Sequence, residues 1–213
     1  MAKRPLSIYA TNGACPNRSA YTQFVPCNTV YVFGNVGERL IASVGSGGNF
    51  VDYGGNHAEI VIDETGYEPL DVSSVNSGPL PVQVYNELDG SRYAGIYPVF
   101  LEPRTGGDYI DLYSSTTGVP SDGISTAKVY LYISSLLNSM DTNYVQVAVT
   151  NNAGIVNCGG ESTGEIPIPP SGQVEVSIAS KYPGTKEVFF HVKNLTLTRP
   201  WGVDINFIDI GAL

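Results

Sequence analysis

The 213-residue chain carries only 15% charged residues, against the ~25% of an ordinary globular domain, and its formal net charge is −9. That balance argues against a nucleic-acid-binding domain, which needs clustered cations. A coiled coil is equally unsupported, and 42% hydrophobic residues suffice to bury a core rather than leave long disorder.

The N-terminus, Met1-Ala2-Lys3-Arg4-Pro5-Leu6, is basic, but no apolar run of ~7–15 residues follows it as in a signal peptide. No stretch approaches the ~18 apolar residues of a membrane-spanning helix, so membrane insertion is not expected. Lys3 and Arg4 are too few cations to bind nucleic acid. Runs at 6–10, 29–33, 39–44, 59–63, 81–85, 96–101 and 109–113 then read as strands. Asn12-Gly13 and Asp89-Gly90 are tight-turn dipeptides. Gly45-Ser46-Gly47-Gly48 and Gly54-Gly55 mark loops. The polar, turn-rich stretch 114–123 is the best linker candidate. It predicts two domains, 1–116 and 124–213, joined by 117–123; one large jelly roll is the rival. A single helical turn is predicted over 134–140, where Leu136, Leu137 and Met140 share a face.

Beyond 124 the alternation is regular. Val129, Leu131 and Ile133 alternate with Lys128, Tyr130 and Tyr132. Val145, Val147 and Val149 follow the same rule, as do Val174, Val176 and Ile178. Val188, Phe190 and Val192 form a further run, and Val203, Ile205 and Phe207 the last. Successive strand side chains point to opposite faces, so each run has one apolar and one mostly polar side. Asn151-Asn152-Ala153-Gly154 can supply positive φ, and Tyr182-Pro183-Gly184-Thr185 suits a type II turn. The fold class read from these patterns is all-β, with two antiparallel β-sandwich domains of jelly-roll or immunoglobulin-like type.

No motif carries chemistry. A P-loop is absent, Ser46 lacks a nucleophile-elbow frame, and His57 and His191 stand apart. The acid pairs Asp108/Asp111 and Glu161/Glu165 are not selected by any spacing. Asp63, Glu64, Glu68 and Asp71 lack the pattern of a calcium loop. The expectation is a protein that is not an enzyme and has no catalytic residue, cofactor or metal. Tyr109 and Tyr113 share one strand face, Tyr130 and Tyr132 another. These four are the predicted interface or sugar-contact aromatics.

Three cysteines stand at 15, 27 and 158. Cys15 and Cys27 lie in matching contexts, Ala-Cys-Pro-Asn and Pro-Cys-Asn-Thr. They are either bridged across a short loop or two unrelated thiols.

The phrase Val145–Gly154 followed by 166–176 resembles the strand-turn-strand passage of immunoglobulin-like accessory domains. That resemblance covers about residues 125–213 and brings no catalytic residues. In size, composition and domain count the whole chain resembles the tandem jelly-roll penton and turret proteins of icosahedral archaeal viruses. This implies a virion structural protein (capsid, vertex, turret or decoration subunit) made in the host cytoplasm. Its partners would be other virion subunits, with homo-oligomers expected. The alternative is a cell-surface adhesion, sugar-binding or filament-forming protein at the extracellular surface, with a glycan or receptor as partner.

If Cys15 and Cys27 are bridged, reductant should lower the melting temperature by the equivalent of ~2–3 kcal/mol. An unchanged melt, with three thiols titrating in denaturant, refutes the bridge.

Overall fold

In the computed structural model, residues 4–9, 14–16, 25–102, 110–114, 118–134, 144–192 and 201–209 are described, 14–16 in their backbone alone. The chain divides into two compact units, Met1–Glu102 and Pro103–Ala212. Each is built from mainly antiparallel β-sheets, with one short parallel pair apiece among the described residues, Ala14–Pro16 with Val99–Leu101 in the first unit and Val119 and Pro120 with Phe207 and Ile208 in the second.

The first unit holds β1 (Ser7–Tyr9), β2 (Ala14–Pro16), β3 (Asn28–Phe33), β4 (Arg39–Val44), β5 (Gly48–Phe50), β6 (His57–Val61), β7 (Tyr67–Ser74), β8 (Gly78–Pro79), β9 (Val82–Asn86), β10 (Asp89–Ile96) and β11 (Val99–Leu101). One sheet runs β1-β3-β7-β5, a second β10-β9-β4-β6, and a short third β2-β11-β8. Leu40, Ala42 and Val44 on β4, Ala58 and Ile60 on β6, and Val82 and Val84 on β9 are buried. Val30, Val32, Leu70 and Val72 fill the matching face of β3 and β7. Every residue of β3 is buried, so its second face is covered as well. There Phe33 packs edge-on to Tyr9, and Tyr67 lies against both Phe33 and Tyr31. The Arg4 guanidinium lies 5.7 Å from the centre of the Phe33 ring.

The second unit holds β12 (Ile110–Ser114), β13 (Val119–Pro120), β14 (Thr126–Ile133), β15 (Tyr144–Val149), β16 (Ala153–Ile155), β17 (Thr163–Pro167), β18 (Gln173–Ser180), β19 (Gly184–Val192) and β20 (Trp201–Ile208). The sheet β12-β14-β18-β16 is paired with β13-β20-β19-β15-β17. Without the edge strands β13 and β17, this is the ABED and GFC arrangement of an immunoglobulin-like sandwich. The core is nearly the predicted set of alternating residues: Val129, Leu131, Ile133, Val145, Val147, Val149, Val174, Val176, Ile178, Val188, Phe190, Val192, Ile205 and Phe207 are buried, while Val203 is only half-buried.

The turns explain how the strands reverse. Asn151 and Asn152 take φ of 57° and 60°, as predicted, and open the way to β16. Lys186 is buried, and its ammonium donates to the carbonyls of Asn151 (3.0 Å) and Pro183 (3.3 Å), tying two turns together. Gly172 sits at φ 72° and its N–H donates to Pro169 O (2.8 Å). A Cβ there would come within 2.0 Å of the Ile133 carbonyl oxygen.

Two expectations need correction. The proposed linker 117–123 is not a linker: Val119 and Pro120 pair in parallel with Phe207 and Ile208, and the division falls after Glu102. The single strand at 96–101 is two, β10 and β11, because Pro98 interrupts the ladder. The acidic residues of the run 63–71 take local roles: Asp63 accepts from the Thr65 N–H (2.8 Å), while Asp71, on β7, accepts from the Thr29 hydroxyl (2.5 Å). The predicted helical turn at 134–140 lies, beyond Ser134, outside the described residues.

Gly172→Ala should therefore cost ~2–4 kcal/mol of unfolding free energy, combining positive φ with a carbonyl clash. Gly184→Ala, at φ 99° with open space around the added methyl, should cost only ~1–2 kcal/mol. Urea unfolding of both variants measures the contrast, and equal costs contradict it.

Candidate functional site

The sequence-predicted aromatics do not form a common surface. Tyr113 is 7% exposed and its hydroxyl donates to Asp111 (3.2 Å). Tyr130 is 0% exposed. Burial removes both as contacts for an outside partner, although β12 and β14 place them opposite each other. Alternation predicted which tyrosines share a face, but could not show that the face is covered at Tyr130. Tyr132 is half-buried, and Tyr109 lies outside the described residues. Cys27 is buried just before β3. Cys15 stands on β2, of which only the backbone is described. His57 is exposed, with its Nδ1 2.9 Å from Asn56 Oδ1.

The surface feature with mixed chemistry lies instead on the outward face of the five-stranded sheet. On β19, Val188, Phe190 and Val192 point inward, so Phe189 and His191 point out. The register sets Phe189 between Gly202 on β20 and Ala148 on β15, with Thr163 of β17 next in the row. The row beside it is His191, Gln146 and Glu165. Phe189 is half-buried and leans over Gly202, where an added Cβ would meet its ring at 3.4 Å. On the other side Ala148 is too small to fill the space. A shallow depression of about 390 Å³ results, with Phe189 and Ala148 at its apolar side and Thr163, Gln146, Glu165 and His191 around it. Gln146 Nε2 donates to Glu165 Oε1 (3.0 Å), which holds the amide and the carboxylate side by side. The sequence signal that could have found this site is an aromatic on the polar side of a clean alternating run.

A second polar cluster is structural. Arg92 on β10 donates from Nε to Glu38 Oε1 (2.5 Å) and from Nη2 to Glu38 Oε2 (2.6 Å), a bidentate pair shielded from solvent. Glu38 also accepts from the N–H and the side-chain amide of Asn35 (both 3.0 Å) and from Asn86 Nδ2 (3.2 Å). Arg92 Nη1 reaches the carbonyl of Arg4 (3.0 Å), and Asn35 Oδ1 accepts from the Arg4 N–H (2.8 Å). The chain entering β1 is thereby tied to the β3–β4 loop and to β10. Burial pushes the Glu38 carboxyl up, but the Arg92, Asn35 and Asn86 donors outweigh it and bring it down from 4.5 to about 2. Because the folded value is the lower one, the stabilisation is complete above about 4.5 and is lost as pH falls through about 2. Glu38→Gln should therefore cost ~2–4 kcal/mol at pH 7 by leaving Arg92 without its counter-charge. The difference from the parent should shrink steadily between pH 4.5 and 2 in chemical-denaturation titrations. A gap that is constant across that range contradicts the assignment.

No family model matches the chain, and a search of curated proteins finds no match. Among solved structures, invasin, described as a bacterial integrin-binding protein, aligns over 97% of this chain and 40% of its own, at 16% identity and a TM-score of 0.40. The D0-D1 domain of intimin aligns over 93% of this chain and 98% of its own, at 14% identity and a TM-score of 0.35. A family 2 glycosyl hydrolase of Bacteroides cellulosilyticus aligns over 85% of this chain and 23% of its own, at 17% identity and a TM-score of 0.36. The chain thus spans well under half the length of the invasin and hydrolase chains. These overlaps are too loose to superpose a site.

Proposed function

We propose that the chain is a non-catalytic adhesive β-sandwich protein and that its second unit binds sugar on the outward face of the five-stranded sheet. The observation that carries this reading is the Phe189 depression. An aromatic surface beside a small-residue gap suits the apolar C–H face of a sugar ring. Planar amide and carboxylate groups at the edge suit its hydroxyls, since together they offer both donors and acceptors. The site is open and shallow, which suits a chain of sugar units better than an enclosed small molecule. The bidentate charge pair Glu38–Arg92 is engaged in holding loops, and the buried Lys186 in holding turns, which fits a protein without a reaction to perform.

The virion-subunit reading draws on composition and domain count. The extracellular adhesion reading gains the Phe189 site.

Screening the whole chain against an oligosaccharide array, followed by calorimetry on the best hit, tests the proposal. Binding should weaken at least ~10-fold in Phe189→Ala and in Gln146→Ala, corresponding to ~1.4 kcal/mol or more each. A chain that binds no oligosaccharide, or one whose binding ignores both substitutions, overturns it.

A further inference from the structure

We propose that the outward face of the first unit's sheet β10-β9-β4-β6 is a contact surface for a second copy of this chain. This goes beyond the sugar site and does not rest on it. The inward residues of these strands are buried in the core, so the residues between them face out. The register lines up Tyr93, Tyr85, Ile41 and Glu59 in one row across all four strands. One step along, Arg39 on β4 stands opposite Val61 on β6.

A solvent face of an antiparallel sandwich is ordinarily polar. Here Tyr93 is 54% exposed and Val61 51%, while Leu88 in the β9–β10 turn is 99% exposed. A depression of about 450 Å³ opens beside the row, walled by Arg39, Ile41, Glu59, Val61 and Leu88. The turn that presents Leu88 is held in place. Asn86 Oδ1 accepts from the N–H groups of Leu88 (2.9 Å) and Asp89 (3.2 Å), and Asn86 Nδ2 donates to Glu38. An apolar side chain displayed on a fixed turn costs little ordering when it is covered.

Two features identify the occupant. Leu88 and Val61 are aliphatic projections, which fit the apolar side chains of a protein rather than a sugar ring. The second feature is charge. Two chains of net −9 repel unless the touching patches are balanced. Within this patch Arg39 and Glu59 offset each other, and the one further charge lining the depression is the exposed Glu87 beside Leu88. Arg39 and Glu59 are exposed neighbours of opposite sign, and neither side chain has a hydrogen-bond or ion-pair partner among the described residues. In a two-fold contact one patch meets itself, so Arg39 of each copy can meet Glu59 of the other. A single surface then supplies both halves of its own complement. Four strands at ~4.8 Å spacing make a small interface, so the association is weak and concentration-dependent.

Sedimentation equilibrium of the whole chain, from low micromolar to several hundred micromolar, tests this. The parent should associate reversibly. Arg39→Glu and Glu59→Arg should each weaken association at least ~10-fold, because each sets like charges against each other in both contacts. Mixing the two variants in equal amounts should restore it, since every Arg39–Glu59 contact is then again of opposite sign. Leu88→Lys, at a site that touches no core, should weaken association without changing the melting temperature. A parent that stays monomeric throughout, or reversals that associate like the parent, would overturn the proposal. So would a mixture no tighter than either variant alone. Sugar binding at Phe189, measured on the same samples, should be unchanged, so failure of one proposal is distinguishable from failure of the other.

Discussion

The two-residue repeat of the extended chain is the constraint from which the rest follows. It commits each side chain of β14, β15, β18 and β19 to one of two faces, and the inner face of each is filled with Val, Ile, Leu and Phe. With cohesion supplied by that dry interior, the outer faces are released from the work of holding the fold. What stands on them is then open to be read as function. Phe189 in the second unit and the Tyr93–Tyr85–Ile41 row in the first are apolar groups where the repeat calls for polar ones. A protein built only for solubility would spend those positions on Thr, Lys or Glu.

How much of this was legible differs between the units for physical reasons. The second unit reads directly because its strands are long and face one core, so the hydrophobic period is uninterrupted. Its short strands β13 and β16, of two and three residues, are too brief to show any period. The domain boundary was misplaced because composition marked 114–123 as polar, whereas backbone pairing of Val119 and Pro120 with β20 decides which unit they join. In the first unit, β7 escaped detection despite lying between β3 and β5. Its sequence, Tyr-Glu-Pro-Leu-Asp-Val-Ser-Ser, carries Pro69 and Asp71 and ends in two buried serines, so neither polarity nor burial alternates. The all-buried β3 shows the same effect from the other side. Tyr31 and Phe33 lie under a second aromatic layer that no local pattern announces.

The site was the least legible part, because a functional surface is defined by what is missing around a residue. Phe189 matters through the smallness of Gly202 and Ala148, which come from strands far apart in the chain and meet only in the register. Tyr130, by contrast, looks equally promising in sequence and is wholly enclosed. The electrostatics are informative in the opposite sense. The Glu38–Arg92 pair stiffens the loops from which Leu88 is presented, so a buried ion pair indirectly fixes an exposed apolar contact. A shallow sugar site on one unit and a weak self-contact on the other would reinforce each other. Pairing two weak sites in one dimer raises apparent affinity for a polyvalent surface by 10²–10⁴ or so without a new contact.

Oxidative footprinting of the side chains, at low and at high protein concentration and with bound oligosaccharide, asks most directly whether this protein acts by having its outer sheet faces covered. On this account Tyr93 and Tyr85 become protected as concentration rises, and Phe189 becomes protected when sugar is added. Tyr182, exposed on a turn of the second unit, stays reactive throughout. Uniform reactivity of all four residues under every condition would contradict it.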